Sequence, residues 1–229
     1  MKNTLVIIPA RGGSKGVPGK NTKLLKGKPL IQYTIDVART LFSDQQIIVS
    51  TDDQSIIDVV EHLGLKVPFK RPAELATDTA GTFEVLLHAM KYAEQNGQQF
   101  DKVLLLQPTS PFRTQKNIEE AFRIYDDELD MVVSVKETKS NPYYVLFEEN
   151  EQGYLEKSKP SNFTRRQDCP KVWEYNGAIY LMNKSRLQLT PPIHFTKIKK
   201  YVMSEFESHD IDTPMDWMIA EYLVNNQTI

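Results

Sequence analysis

A three-layer α/β/α fold with a mostly parallel sheet is what the 229 residues predict. Three observations carry that expectation. Short β-branched apolar runs alternate with stretches of helical period through the first 135 residues, and two of those stretches stop at Gly64 and at Asn96-Gly97. A glycine-rich basic loop directly follows the first apolar run. In open parallel sheets, ligands sit outside the carboxyl ends of the strands, which is where that loop falls.

Strands are expected at Leu5–Ile8, Ile47–Ser50, Val103–Leu106 and Met131–Val135. Between them, Ile56, Ile57, Val59, Val60 and Leu63 repeat with helical period after Asp52-Asp53 and end at Gly64. Phe83, Leu86, Leu87, Met90 and Ala93 line one face of a second helix, stopped by Asn96-Gly97. Asp78 is read as the N-cap of that helix, which would start near Ala80. Ile118, Ala121, Phe122 and Tyr125 form a third face after Thr114, a good N-cap. From about 141 to 171 the periodicity vanishes, and Asn-Pro, Gln-Gly and Lys-Pro pairs punctuate short aromatic stretches; this predicts a projecting hairpin or arm. Gly177–Met182 resumes as a strand. A final helix opens at Thr213-Pro214-Met215-Asp216, with Thr213 as N-cap, Pro214 first in the helix and Asp216 in the capping-box place. The whole chain is expected to be a single domain, 1–229.

Composition narrows the function. The chain is 40% hydrophobic and 25% charged, with a net charge of −2 and no long basic tract. Nucleic-acid and membrane partners are therefore not expected, and a small polyanion suits the local basic cluster better. Cys169 is the one cysteine, so no internal disulfide and no cysteine-based metal site follow; His62, His88, His194 and His209 are scattered, without zinc spacing. The apolar stretch Leu5–Ala10 is too short for a signal-peptide core or a membrane span, which points to the cytoplasm.

The loop itself, Ile8-Pro-Ala-Arg-Gly-Gly-Ser-Lys-Gly-Val-Pro-Gly-Lys-Asn21, carries the chemistry. It packs Arg11, Lys15 and Lys20 among Gly12, Gly13, Gly16 and Gly19, and no acidic residue precedes Asp36. Glycines let backbone N–H groups approach an anion closely while the cations add charge, a combination suited to phosphates. It is not a Walker A loop: the required glycine position holds Ser14, and Asn21 replaces the Ser/Thr that would ligate Mg²⁺. Asp210-Ile211-Asp212 is a candidate metal pair, because residues i and i+2 of an extended segment point to the same side and Mg²⁺ takes one or two carboxylates plus phosphate oxygens. Equally, Asp212 could merely precede the Thr213 cap, with Asp210 exposed.

The loop resembles the signature of the CMP-sialic acid synthetases (acylneuraminate cytidylyltransferases) without a gap. Three further motifs follow in the family's order: Arg71-Pro-Ala-Glu-Leu-Ala-Thr-Asp-Thr-Ala80, Gln107-Pro-Thr-Ser-Pro-Phe-Arg113, and Arg165-Arg-Gln-Asp168 with Asn176-Gly-Ala-Ile-Tyr180. The resemblance implies a Rossmann-like nucleotidyltransferase fold whose arm helps form a homodimer and reaches toward the partner's site. It implies that Arg11, Gly12, Lys15, Lys20 and Asn21 hold the triphosphate of CTP, and that Arg71, Ala80 and Thr82 surround the cytosine. Gln107 would contact the acyl sugar, with Ser110 and Arg113 nearby. Asn176, Gly177 and Tyr180 would form the sugar side. Either Arg165 or Arg166 suits the C1 carboxylate, since a guanidinium fork matches a carboxylate bidentately. The aromatic pair that closes the sugar pocket in some members would fall at His194-Phe195, where this chain departs from the pattern with a histidine first.

The activity so implied joins CTP and an N-acylneuraminate to give the CMP-sugar and pyrophosphate, with Arg11, Lys20 and Asp212 as catalytic residues. The metal, Mg²⁺ or Mn²⁺, would sit on Asp210 and Asp212. No protein general base stands out. Legionaminate or another nonulosonate or octulosonate is the alternative substrate, and a non-catalytic CTP- or sugar-binding protein is the alternative of another class.

Overall fold

The computed structural model describes residues 1–77 and 81–226. In chain order the strands and helices are β1 (Thr4–Pro9), β2 (Leu24–Leu25), β3 (Lys28–Pro29), α1 (Leu30–Arg39), β4 (Ile47–Ser50), α2 (Gln54–His62), α3 (Thr82–Gln95) and β5 (Lys102–Leu105). They continue with α4 (Gln115–Ile124), β6 (Met131–Glu137), β7 (Phe147–Glu149), β8 (Leu155–Lys157), β9 (Trp173–Asn183), α5 (Lys184–Leu189), β10 (Ile198–Val202) and α6 (Pro214–Asn226).

Six strands form the central sheet in the order β10-β6-β9-β5-β1-β4. All its pairings are parallel except those of β9, which runs antiparallel between β5 and β6. Strand alternation sends Val6 and Ile8 to one face and Leu5 and Ile7 to the other, so each face builds its own core. On the first face lie Ile31 and Ile35 of α1, Ile56 and Val60 of α2, and Ile118 and Ala121 of α4. On the second lie Leu86, Ala89, Met90 and Ala93 of α3 and Leu187 of α5. A third cluster sets Val17 of the glycine-rich loop against Leu25, Phe112, Ile211 and Trp217, so α6 underpins the loops of the sheet's carboxyl end. Among the described residues no helix is long and apolar enough to cross a membrane.

The expected strands and caps match closely. Asp53 accepts from the Ser55 N–H at the start of α2, Thr114 and Asn117 form a capping box on α4, and Thr213 and Asp216 cap each other at α6. One cap differs: α3 starts at Thr82 with Gly81 as its N-cap. Asp78, the cap expected from the sequence, lies outside the described residues. Two elements carry little sequence signal. Helix α1 begins after Pro29 without a side-chain cap, and β10 is a lysine-bearing edge strand in which Tyr201 is its only buried residue. The arm at 141–171 holds the β7–β8 hairpin, turning through Gly153 at φ +82°. It leaves Val145, Leu146, Phe147, Tyr154 and Leu155 exposed.

Candidate active site

The glycine-rich loop leaves β1 and is pinned along its length. The Ala10 N–H donates to the Ser50 carbonyl (2.9 Å), and the Gly12 N–H donates to Asp52 Oδ1 (3.2 Å). A β-carbon on Gly12 would stand 2.2 Å from Asp53 Oδ2, and one on Gly16 would stand 1.9 Å from the Asp212 carbonyl oxygen. The loop therefore lies pressed between the acidic turn after β4 and the acidic segment before α6, at distances only glycine permits. Gly19 takes φ +63°, and the buried Lys20 that follows it donates to the Ile211 carbonyl (2.5 Å) and to Asp212 Oδ1 (3.0 Å). Asn21 is buried too; its amide donates to the Arg11 carbonyl (3.1 Å), so it shapes the loop from inside.

The cleft in front of the loop measures about 460 Å³. Arg11, Lys15, Lys20 and Arg71 bring four cations to its described lining against one carboxylate, Asp212. Such an excess in a concave site favours a polyanion. Leu75, Val85 and Pro108 give the far wall an apolar surface, with the Thr77 and Thr82 positions beside it. Arg71 is buried and fixed by bonds to the Ser50 and Leu75 carbonyls. Burial pulls its guanidinium below the ordinary arginine value; Asp52 opposes this and Arg11 reinforces it. Ala80 lies outside the described residues.

The acidic pair is set by alternation. The Ile211 side chain is fully buried in the third cluster and its N–H donates to the Thr109 carbonyl (2.9 Å). Its neighbours Asp210 and Asp212 are thereby held at the site rather than in the core. Asp212 is largely exposed, neutralised by Lys20. Asp210 is half-buried with Oδ1 unpartnered. Burial pushes its carboxyl above the ordinary range, the Thr109 hydrogen bond opposes that, and the charge of Asp212 adds to it. A β-carbon on Gly177, at φ +75°, would stand 2.8 Å from Gln107 Oε1 and 3.6 Å from Asp210 Oδ2. Gln107, Gly177 and Asp210 thus meet at one point beside the cations. Tyr180 stands close by on β9, edge-to-face with the half-exposed Tyr175; burial, then Asp210 and Tyr175, push its phenol up to about 12.

Six of the expected sugar-side residues lie elsewhere in this chain. The Asn176 amide is buried and fully engaged: it accepts from Ser134 Oγ (2.6 Å) and donates to Ser208 Oγ (2.8 Å), which makes it a latch within the fold. Arg113 is buried behind the cleft wall, where backbone carbonyls occupy its guanidinium. Arg165 and Arg166 sit on the exposed arm, Arg165 in a two-point pair with Asp168. Phe195 is packed in the second core. It precedes β10, whose first residue pairs with the first residue of β6, so Phe195 lies at the amino end of the sheet, opposite the cleft. Ser110 is buried with an unpartnered hydroxyl and does not line the cleft. Asp52, which grips the loop, was legible only as a helix start; its place after a parallel strand beside β1 is the signal that marks it.

A parallel sheet with a basic glycine loop after its first strand, a cationic cleft and an acidic pair opposite define a nucleotidyltransferase. The chain belongs to the cytidylyltransferase family, whose sequence model matches residues 5–216. It is 38% identical over 224 residues to a CMP-N,N'-diacetyllegionaminic acid synthase of Legionella pneumophila, covering 96% of this chain and 95% of that one. It is 35% identical over 217 residues to an N-acylneuraminate cytidylyltransferase of Streptococcus agalactiae, covering 93% of this chain but only 51% of that longer protein. The solved structure of a CMP:2-keto-3-deoxy-manno-octonic acid synthetase complexed with CTP shares the fold, with a TM-score of 0.73 at 20% identity over 99% of this chain and all of the other.

Proposed function

We propose that this enzyme activates a nonulosonic acid of the N-acylneuraminate type, converting it with CTP to the CMP-sugar and pyrophosphate. The observation that carries the reading is the meeting of Gln107, Gly177 and Asp210 beside the Lys20–Asp212 pair, which sets an acid-sugar subsite against a phosphate loop. Arg11, Lys15 and Lys20 neutralise the triphosphate, and Gly12 lets the backbone approach it. Arg71 and Thr82, with the apolar wall at Leu75 and Val85, seat the base. The anomeric 2-hydroxyl oxygen attacks the α-phosphorus, a new P–O bond forms, and pyrophosphate leaves with the broken P–O pair. In this reading the hydroxyl proton passes to water, no histidine being among the described residues that line the cleft.

The donor set suits a hard divalent cation. Asp210 offers a buried oxygen without a partner and Asp212 an exposed carboxylate, while among the described residues no group of three His, Cys, Asp or Glu forms an all-protein cage. Asp210 and Asp212 would hold Mg²⁺ or Mn²⁺, which would supply polarisation of the α-phosphate and favour ionisation of the hydroxyl. Homodimerisation through the arm belongs to the same proposal. The exposed apolar side chains there support it, as does the absence of Arg165 and Arg166 from this chain's own cleft lining. So does a cytoplasmic location, where CTP is made.

N,N'-diacetyllegionaminate is the second substrate reading, favoured by the near-full-length likeness to the Legionella synthase. Pyrophosphate release with CTP and Mg²⁺ should be measured across N-acetylneuraminate, diacetyllegionaminate, pseudaminate and the octulosonate. Release with a nine-carbon acid is expected and names the substrate. Silence across the panel, with CTP still bound, would instead make the chain a binding protein.

A further inference from the structure

Arg113 is a buried cation with no acid partner among the described residues. It is 2% exposed, no described carboxylate contributes to its ionisation, and burial brings it down to about 9. Burying a guanidinium without a counter-ion is costly, so its hydrogen bonds must matter to the fold around it. Nη1 donates to the Ala178 carbonyl (2.8 Å) and to the Gln107 carbonyl (3.2 Å), and Nη2 donates to Thr34 Oγ1 (2.7 Å).

Those acceptors lie where the sheet's own ladder has run out. The β5–β9 pairing ends at Leu105 opposite Tyr180, two residues short of both Gln107 and Ala178. On the other side of β9 the register against β6 shifts between Val133 and Val135, leaving 176–179 unpaired by strand bonds. Gly177, at φ +75°, makes that bulge. Side chains close the gap on each side. Ser134 accepts from the Ile179 N–H (2.7 Å) on the β6 side, and Arg113 ties Ala178 to Gln107 on the β5 side.

We propose that Arg113 is a positioning residue for the acid-sugar half of the site: its fork fixes the Gln107 backbone to the β9 bulge, so that the Gln107 side chain meets Gly177 and Asp210. The inference rests on the reading of that half as the sugar subsite. A planar fork spans acceptors that a single ammonium does not, so lysine is no substitute here.

Steady-state pyrophosphate release should be compared for the wild type, Arg113→Met, Arg113→Lys and Thr34→Val, with CTP and the sugar acid varied separately. Arg113→Met is expected to raise KM for the acid about 10- to 100-fold, the scale of a displacement of about 1 Å, with KM for CTP within about twofold. Arg113→Lys should stay impaired, and Thr34→Val should show a smaller shift with the same split. Equal changes in both KM values, no change, or full rescue by lysine would overturn the proposal. If Arg113→Met does not fold, Thr34→Val decides. If the wild type turns over none of the acids, the functional reading falls, and hydrogen exchange decides the clamp without turnover. Faster exchange at Ala178 and Ile179 in Thr34→Val, with the amides of β1 unchanged, supports it; unchanged exchange there overturns it.

Discussion

The two halves of the cleft are built in opposite ways. The half proposed for phosphates comes from one run of fourteen residues, 8–21, whose shape is fixed by glycines and by bonds from its own Lys20 and Asn21. The half proposed for the acid sugar is assembled from Gln107, Gly177 and Asp210, which meet only because three distant segments converge. A contiguous half depends on backbone clearance. A convergent half depends on buried polar side chains outside the cleft lining, such as Arg113, Ser134 and Asn176. Damage should therefore appear differently in the two halves: as lost chemistry in the first, and as lost stability or acid affinity in the second.

Clearance is the larger effect, and two glycines of the same loop test it. A methyl on Gly16 would meet the Asp212 carbonyl oxygen at 1.9 Å, whereas one on Gly13 has nothing within 4 Å. Gly16→Ala should push the loop off the acidic segment and lower kcat/KM by about 10²-fold, the cost of misplacing a reacting group by about 1 Å. Gly13→Ala should remain within about threefold of wild type, since an unobstructed substitution displaces no reacting group. Steady-state kinetics on the pair would break the comparison if both variants behaved alike.

This division also explains what the sequence revealed. The glycine-rich basic loop, the acidic pair beside it and the alternation of strands and helices were legible because each is local: a motif, an i, i+2 spacing or a period. The sugar side was not. Arg113 follows a motif as a substrate-binding arginine would, and only the fold shows its fork turned into the carbonyls of 107 and 178. Asn176 has the polarity of a sugar ligand yet spends it on Ser134 and Ser208. Phe195 was placed by an aromatic pair position, but its strand starts at the far end of the sheet. Helix α1 lacked a cap and β10 lacked an apolar run, so neither announced itself.

The latch at Asn176 sharpens the convergent half. Its removal leaves the buried Ser134 and Ser208 hydroxyls short of a partner and frees the bulge. Asn176→Ala should cost about 2–3 kcal/mol of stability, the scale for orphaning buried polar groups. CTP affinity should hardly change, because the phosphate loop carries its own bonds. Denaturant melts and CTP titration on the same preparation read both quantities, and a loss of CTP affinity would erase the distinction between the halves.

The smallest effect belongs to a site remote from both halves. Asp130, at the amino end of β6, accepts from the Thr196 and Lys197 N–H groups (2.9 Å each) and lies 3.4 Å from Arg186. The Lys197 amide bond, with that of Thr196 and the nearby cations, holds its carboxyl below the ordinary value against the opposing effect of burial. A depressed carboxyl stabilises the fold at pH above its unfolded value, about 3.9, and that contribution is lost as pH falls through the folded value. Asp130→Asn keeps an acceptor but removes the charge. It should lower stability at neutral pH by about 1 kcal/mol. It should also flatten the fall in stability below about pH 4, where the wild-type carboxylate takes up its proton. Melts from pH 3 to 7 would show the two proteins converging at the acid end, with kcat and both KM values unchanged at neutral pH. A change in either KM would mean that the amino end of the sheet communicates with the cleft, and that the two halves are not the only regions on which catalysis depends.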